Sequence, residues 1–82
     1  MGSRFYFNTE NDHSELDPEG TELSDLAEAR SQALALLGQM LMDADRFSPW
    51  GGKPWRVWVT DGPNGSGKVL LTLRLSAFDA GK

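Results

Sequence analysis

Residues 55–76 read WRVWVTDGPNGSGKVLLTLRLS, and the fold turns on how this stretch is parsed. Trp55, Val57 and Val59 alternate with Arg56, Trp58 and Thr60. After a break, Val69, Leu71, Leu73 and Leu75 alternate with Leu70, Thr72, Arg74 and Ser76. A period of two is that of a strand with one packed face and one face turned away. Two such runs around a break rich in Gly, Pro and Asn predict an antiparallel hairpin, with strands at Trp55–Asp61 and Lys68–Ser76.

The break itself, Gly62-Pro63-Asn64-Gly65-Ser66-Gly67-Lys68, is similar to a Walker A phosphate loop. Such a loop turns backbone N–H groups toward phosphates, reaches the β/γ oxygens with its Lys and holds magnesium with a following Ser or Thr. Here Val69 stands in place of that hydroxyl residue. A strand pattern also follows, where a helix N-terminus must face the phosphate. The residues after Lys68 are too few for the rest of a nucleotide fold. The segment therefore reads as a hairpin turn, and ATP is not an expected partner.

Upstream, residues 47–54 (FSPWGGKP) predict a loop. Before them, Leu26, Ala29, Ala33, Leu37, Met40 and Ala44 recur at steps of three and four, which predicts a helix over about 25–46. Leu34, Leu36 and Leu41 widen that stripe, while Glu28, Ser31, Gln32, Gln39 and Asp43 fall opposite. Met42 points away from the stripe and is a candidate for contact between molecules. Ser24 is the expected N-cap, with Asp25 and Glu28 near the positive end of the helix dipole. So broad an apolar face wants a sheet beneath it. The aromatic start Arg4-Phe5-Tyr6-Phe7-Asn8 predicts a first strand over 4–9. Residues 10–23 form an acidic loop with turn chemistry at Asp17-Pro18-Glu19-Gly20 and a brief strand around Ser14–Leu16. Residues 77–82 read as a tail. The expected architecture is α+β, a single domain over 1–82 with one long helix on a three- or four-stranded antiparallel sheet, in the order β-(β)-α-β-β.

Composition narrows the function classes. The chain has 82 residues, no Cys and one His, which excludes disulfide frameworks, thiolate zinc sites and cysteine nucleophiles. No apolar run approaches the ~18 residues of a membrane helix, so a cytoplasmic location is expected. A core this small is marginal on its own, which makes a homodimer an early hypothesis. The net charge is −4, and eight of the 12 acids lie in residues 1–28 beside a single base, Arg4. A sequence pI near 4.7 argues against a general nucleic-acid binder. His13 lacks a second ligand or a paired base, and Asp12, Glu15, Asp17 and Glu19 do not match the EF-hand spacing. No catalytic, cofactor-binding or metal-ligating residue is assigned, and an enzyme is not expected.

The sheet face turned away from the helix carries the functional candidates. With Phe5, Phe7, Trp55, Val57, Val59, Val69, Leu71 and Leu73 beneath the helix, alternation sends Arg4, Tyr6, Asn8, Arg56, Trp58, Thr60, Leu70, Thr72 and Arg74 outward. Aromatic rings among arginines are typical of interface anchors. They also resemble a platform on which single-stranded bases stack while Arg meets phosphate. The bland alternative is that Trp58 and the Arg stems merely cover the sheet. Tyr6, Arg56, Trp58 and Arg74 are accordingly the candidate contact residues for a partner protein, a second copy or nucleic acid. Trp50, between Pro49 and Gly51-Gly52, reads as a lid on the core end or as an exposed anchor.

Three stretches carry a family resemblance: Arg4-Phe5-Tyr6-Phe7-Asn8, the segment from Asp17 through Gly20, Glu22, Leu23, Asp25 and Leu26 to Ala33, and the final hairpin. Together they resemble a family of small alphaproteobacterial, rhizobial-type proteins built on a domain of unknown function. The resemblance spans almost the whole chain, and its most specific part is the acidic Asp-x-Glu-Gly-x-Glu-Leu run. It implies no activity and no catalytic residues. A fainter likeness links the chain to the partner-binding domains of HicB-type antitoxins, an analogy of fold. The expected function is a non-enzymatic protein-interaction or regulatory module that forms a homodimer or binds another protein. The alternative is a nucleic-acid-binding regulator working through the same sheet face.

Overall fold

The computed structural model describes residues 2–11, 13–43 and 54–77. Its elements are β1 (Ser3–Glu10), β2 (Ser14–Glu15), β3 (Thr21–Leu23), α1 (Leu26–Met42), β4 (Trp55–Thr60), a 3₁₀ turn at Pro63–Gly65 and β5 (Val69–Leu75). The strands build one antiparallel sheet in the order β2-β1-β4-β5, with β3 also paired to β1. The α+β class follows from the two periodicities. The sheet has five strands, not three or four, because the acidic segment 10–23 supplies β3 as well as β2.

β2 and β3 are two halves of one interrupted strand. Thr9 faces Glu15 and Phe5 faces Thr21, so a step of four residues on β1 is matched by six on its partner. The surplus leaves the sheet as the loop from Leu16 to Gly20. At the gap, the Phe7 N–H meets the Asp17 carboxylate (3.0 Å) where a strand carbonyl would otherwise stand. A backbone donor at a broken sheet edge needs such a partner.

α1 packs on the sheet through Ala29 and Ala33, both fully buried against Phe5, Val57 and Val59. Two alanines let the helix backbone sit close to β4. Phe7, Leu23, Leu36, Leu37, Met40, Leu71 and Leu73 surround this centre, each half-buried. The apolar stripe is wider than the sheet can cover, and Leu26, Leu34 and Leu41 remain exposed together with Met42. No helix among the described residues is long and apolar enough to cross a membrane.

The helix starts one residue later than expected. Asp25, not Ser24, is the N-cap, and its carboxylate accepts from the Glu28 N–H at 2.9 Å. Glu28 reaches back to accept from both the N–H and the hydroxyl of Ser24, each at 2.8 Å. This reciprocal arrangement is a capping box displaced by one residue. The Ser24 donors hold the Glu28 carboxyl below its ordinary pKa. Asp25→Ala should destabilise the protein by about 1 kcal/mol, measured by urea unfolding. At the other end Asp43 caps the helix; the expected continuation to Arg46 lies outside the described residues, as do Trp50 and the tail from Phe78.

One core assignment is reversed at the hairpin's closed end. A register shift between Val59 and Thr60 sets Thr60 against Val69 but Val59 against Leu71. This bulge absorbs one extra residue on β5. Val69, expected beneath the helix, is 54% exposed. Leu70, expected outward, is half-buried and packs against the core. The loop 62–68 is the hairpin turn anticipated, with positive φ at Asn64, Gly65 and Gly67, and it runs into β5, not a helix.

Candidate interaction surface

Residues directly opposed in an antiparallel sheet share a face. On the side away from α1 the register therefore lays out three rows: Tyr6–Thr60, Asn8–Trp58–Thr72, and Glu10–Arg56–Arg74. The alternation placed these side chains on the correct face. It did not reveal that half of that face is covered.

The loop from Leu16 to Gly20 folds over the upper rows. Asn8, expected in solvent, is completely buried, as is Thr60. The Asn8 amide donates to Thr60 Oγ1 (3.2 Å) and to the Trp58 carbonyl (3.3 Å), while its Oδ1 accepts from the Asp17 N–H (3.0 Å). Thr60 in turn donates its hydroxyl proton to the Gly62 carbonyl at 2.9 Å. The Asn64 N–H, in the hairpin turn, donates to the Asp17 carbonyl at 2.8 Å. One buried polar cluster thus fastens β1, β4, the acidic loop and the hairpin turn together, with its polar groups paired as burial demands.

Asp17 is the hub of this closure. Its carboxylate accepts from the N–H groups of Phe7, Glu19 and Gly20. Partial burial pushes the Asp17 carboxyl up, but these three donors and the nearby Arg4 charge outweigh it and hold it below its ordinary pKa. Arg4 donates to the Glu19 carbonyl at 2.9 Å. Gly20 adopts φ +74°, and a Cβ there would lie 2.8 Å from both Arg4 Cγ and the Tyr6 ring. Tyr6 is therefore half-buried beneath the loop and does not join the other candidates. The Asp-x-Glu-Gly run is accounted for by folding: Asp to bind three N–H groups, Gly to turn left-handed against a ring.

The lower rows stay open. The Arg56 guanidinium lies 4.0 Å from the centre of the Trp58 ring and pairs through Nη2 with Glu10 at 3.1 Å. Its Nε is buried without a hydrogen-bond acceptor among the described residues. Arg74, directly opposite Arg56, is exposed and makes no ion pair among the described residues. Two like charges facing each other across a strand pair repel. Glu10 offsets only one of them. Arg56, Trp58 and Arg74 thus share the open rows, with Thr72 opposite Trp58 and Glu10 as an unanticipated member. Glu10 shares its alternation parity with Asn8, but only the β1–β4 register sets it beside Arg56.

A separate hollow of about 220 Å³ lies between β1 and α1, with Thr9, His13, Glu15, Leu36, Met40 and Asp43 in its lining. His13 is exposed. Among the described residues no three His, Cys, Asp or Glu side chains are grouped to hold a metal ion.

No curated protein and no solved structure matches the chain. A family model matches residues 4–76, from the first residue of the aromatic strand to the end of the hairpin. The chain belongs to the family described as domain of unknown function DUF6894.

Proposed function

We propose that the chain is a non-enzymatic protein-interaction or regulatory module of the bacterial cytoplasm. Its recognition surface is the open half of the sheet, made by Arg56, Trp58, Thr72 and Arg74, and its ligand is an acidic segment of a partner protein. The observation that carries this reading is the stacked Arg56–Trp58 pair with Arg74 directly opposite Arg56, two cations and a single carboxylate, Glu10, on the far side of Arg56 from Arg74. Rigid aromatic and Arg side chains on a sheet are the residue types that anchor interfaces.

Nucleic acid is the alternative ligand for the same residues. Against it stand the net charge of −4 and the acidic loop on the adjoining half of the face. A phosphate backbone carries a charge at every nucleotide and is held by a run of cations, whereas two arginines and one glutamate suffice only for an isolated carboxylate. Titrating isotope-labelled protein with an Asp/Glu-rich peptide, and separately with a single-stranded RNA oligonucleotide at low salt, decides between the two. The peptide should shift the amides of Arg56, Trp58, Thr72 and Arg74 and leave Tyr6 and Asn8 still. Arg74→Glu should weaken peptide binding by about tenfold or more, the loss of a charged hydrogen bond. Shifts with RNA alone would replace this reading by the alternative, and silence with both ligands would overturn it.

A further inference from the structure

Among the described residues, two features without a partner lie on one side of the molecule. The first is the outer edge of β5, the last strand of the sheet. Phe7 turns its N–H away from β4, toward Asp17, so Tyr6 and Asn8 are the β1 residues that bond β4. Val57 and Val59 then turn toward β5, where they face Leu73 and Leu71. Thr72 and Arg74 are left with N–H and C=O directed outward, as the antiparallel pattern requires. Edge strands are ordinarily blunted by Pro, Lys or bulges. β5 contains no Pro, its single charge, Arg74, stands on the open sheet face, and its one bulge lies at its first residues.

The second feature is a flank of α1. Leu36 and Met40 line hollows shared with Phe7 and Thr9 of β1, so that side of the helix leans toward the β2/β3 edge. At 3.6 residues per turn, Leu34 and Leu41 lie on the other side, toward β5, which α1 also contacts. They are 55% and 39% exposed. The open strand edge and the uncovered helix flank are therefore adjacent.

We propose that the chain forms a two-fold dimer in which β5 pairs antiparallel with β5 of a second copy, and the Leu34/Leu41 flanks of the two helices close over the joint. The β5 sequence is self-complementary about Thr72. Centred there, Thr72 meets Thr72 of the second copy, Leu71 meets Leu73 on the helix side, and the two Arg74 residues fall at opposite ends of the joint. Like charges stay apart and leucines oppose leucines, which favours cross-strand pairing. A two-fold axis perpendicular to the sheet keeps both helices on the same face, so each supplies the apolar flank that the other needs. A lone peptide strand would satisfy the edge but leave Leu34 and Leu41 in water. This inference rests on reading the chain as an interaction module; it uses the backbone edge of β5, whereas peptide recognition uses side chains of the sheet face, and Thr72 and Arg74 contribute to both.

Sedimentation equilibrium across a concentration series tests it. Wild-type protein should approach twice the chain mass. Thr72→Pro removes an outward N–H without breaking a β4 bond, since Pro is tolerated on an edge, and Leu34→Glu charges the exposed flank. Each should weaken self-association by about tenfold or more while leaving the circular dichroism unchanged. If Thr72→Pro fails to fold, Leu34→Glu decides together with hydrogen exchange, in which the Thr72 and Arg74 amides should be protected in concentrated protein and lose protection on dilution. A wild-type monomer at every concentration overturns the dimer, as does a dimer indifferent to both substitutions. In either case retained binding of the acidic peptide leaves the interaction-module reading standing. A dimer lost only on Trp58→Ala overturns the edge and assigns self-association to the sheet face.

Discussion

Asp17→Ala should lower the unfolding free energy by about 3 kcal/mol, the largest loss expected from any single residue of the acidic loop. The carboxylate accepts from three backbone N–H groups, those of Phe7, Glu19 and Gly20. Removing it leaves the part-buried Phe7 donor unpaired at the gap between β2 and β3. The loop then has less reason to lie on the sheet, and the buried Asn8–Thr60 cluster beneath it is opened to water. Charged hydrogen bonds of this kind are worth about 1.5–3 kcal/mol each, and the exposure of the Glu19 bond reduces the sum. For a domain of this size, the loss corresponds to a fall in Tm of roughly 12–24 °C. Thermal unfolding followed by circular dichroism measures it. A drop within error of zero would show that the loop is held by something other than this carboxylate.

The same residue makes stability depend on acid. Because the folded-state pKa of Asp17 is depressed, its contribution is complete above the unfolded value of about 3.9. It is lost as pH falls through the lower folded value. The gap in stability between wild type and Asp17→Ala should therefore be constant near neutrality and narrow below about pH 4. A gap that widened on acidification would contradict the hydrogen-bonded geometry.

Trp55→Ala should cost about 3–5 kcal/mol, whereas Trp58→Ala, three positions along the same strand, should cost about 1 kcal/mol. Trp55 is 1% exposed and is the largest fully buried side chain among the described residues. Its removal leaves a cavity that the surrounding β-sheet cannot close. Trp58 lies on the opposite face, half-buried, with the Arg56 guanidinium over its ring. Its loss forfeits a cation–π contact and little core volume. Guanidinium unfolding of the two variants, together with their binding of the acidic peptide, separates the roles: Trp55→Ala should be lost from the stability curve and Trp58→Ala from the binding curve. Equal destabilisation would mean that Trp58 serves mainly to hold the fold.

The two tryptophans also show how far alternation carries. Period two sorted Trp55 inward and Trp58 outward, and it put Tyr6, Asn8, Arg56, Thr60 and Arg74 on the face away from the helix. The helical stripe located Ala29 and Ala33 and required a sheet beneath them. The strand pattern after Lys68 made the glycine-rich run a hairpin turn, the turn that joins β4 to β5. Each of these is a local property: the period of a strand or helix is set within a few residues, and burial of one face writes it into the side chains directly.

What escaped the sequence depends on contacts between distant residues. Asn8 and Thr60 look like ordinary polar residues on a wet face, and only the loop folded over them makes them a buried pair. The second half of the interrupted strand at Thr21–Leu23 is too short to show a period and exists because β1 offers it an edge. The shift of the cap from Ser24 to Asp25 was within reach of the sequence, since Asp25 and Glu28 have capping-box spacing, but two neighbouring cap residues compete and the path of β3 into the helix chooses between them. The exposed flank at Leu34 and Leu41 has the same character. Hydrophobicity alone assigns it to the core, and it is the narrowness of the sheet beneath α1 that leaves it uncovered. Local periodicity decides which way a side chain points. Whether anything lies over it depends on elements fifty residues away in the chain, as with Asn8 and Thr60, and is decided when they dock.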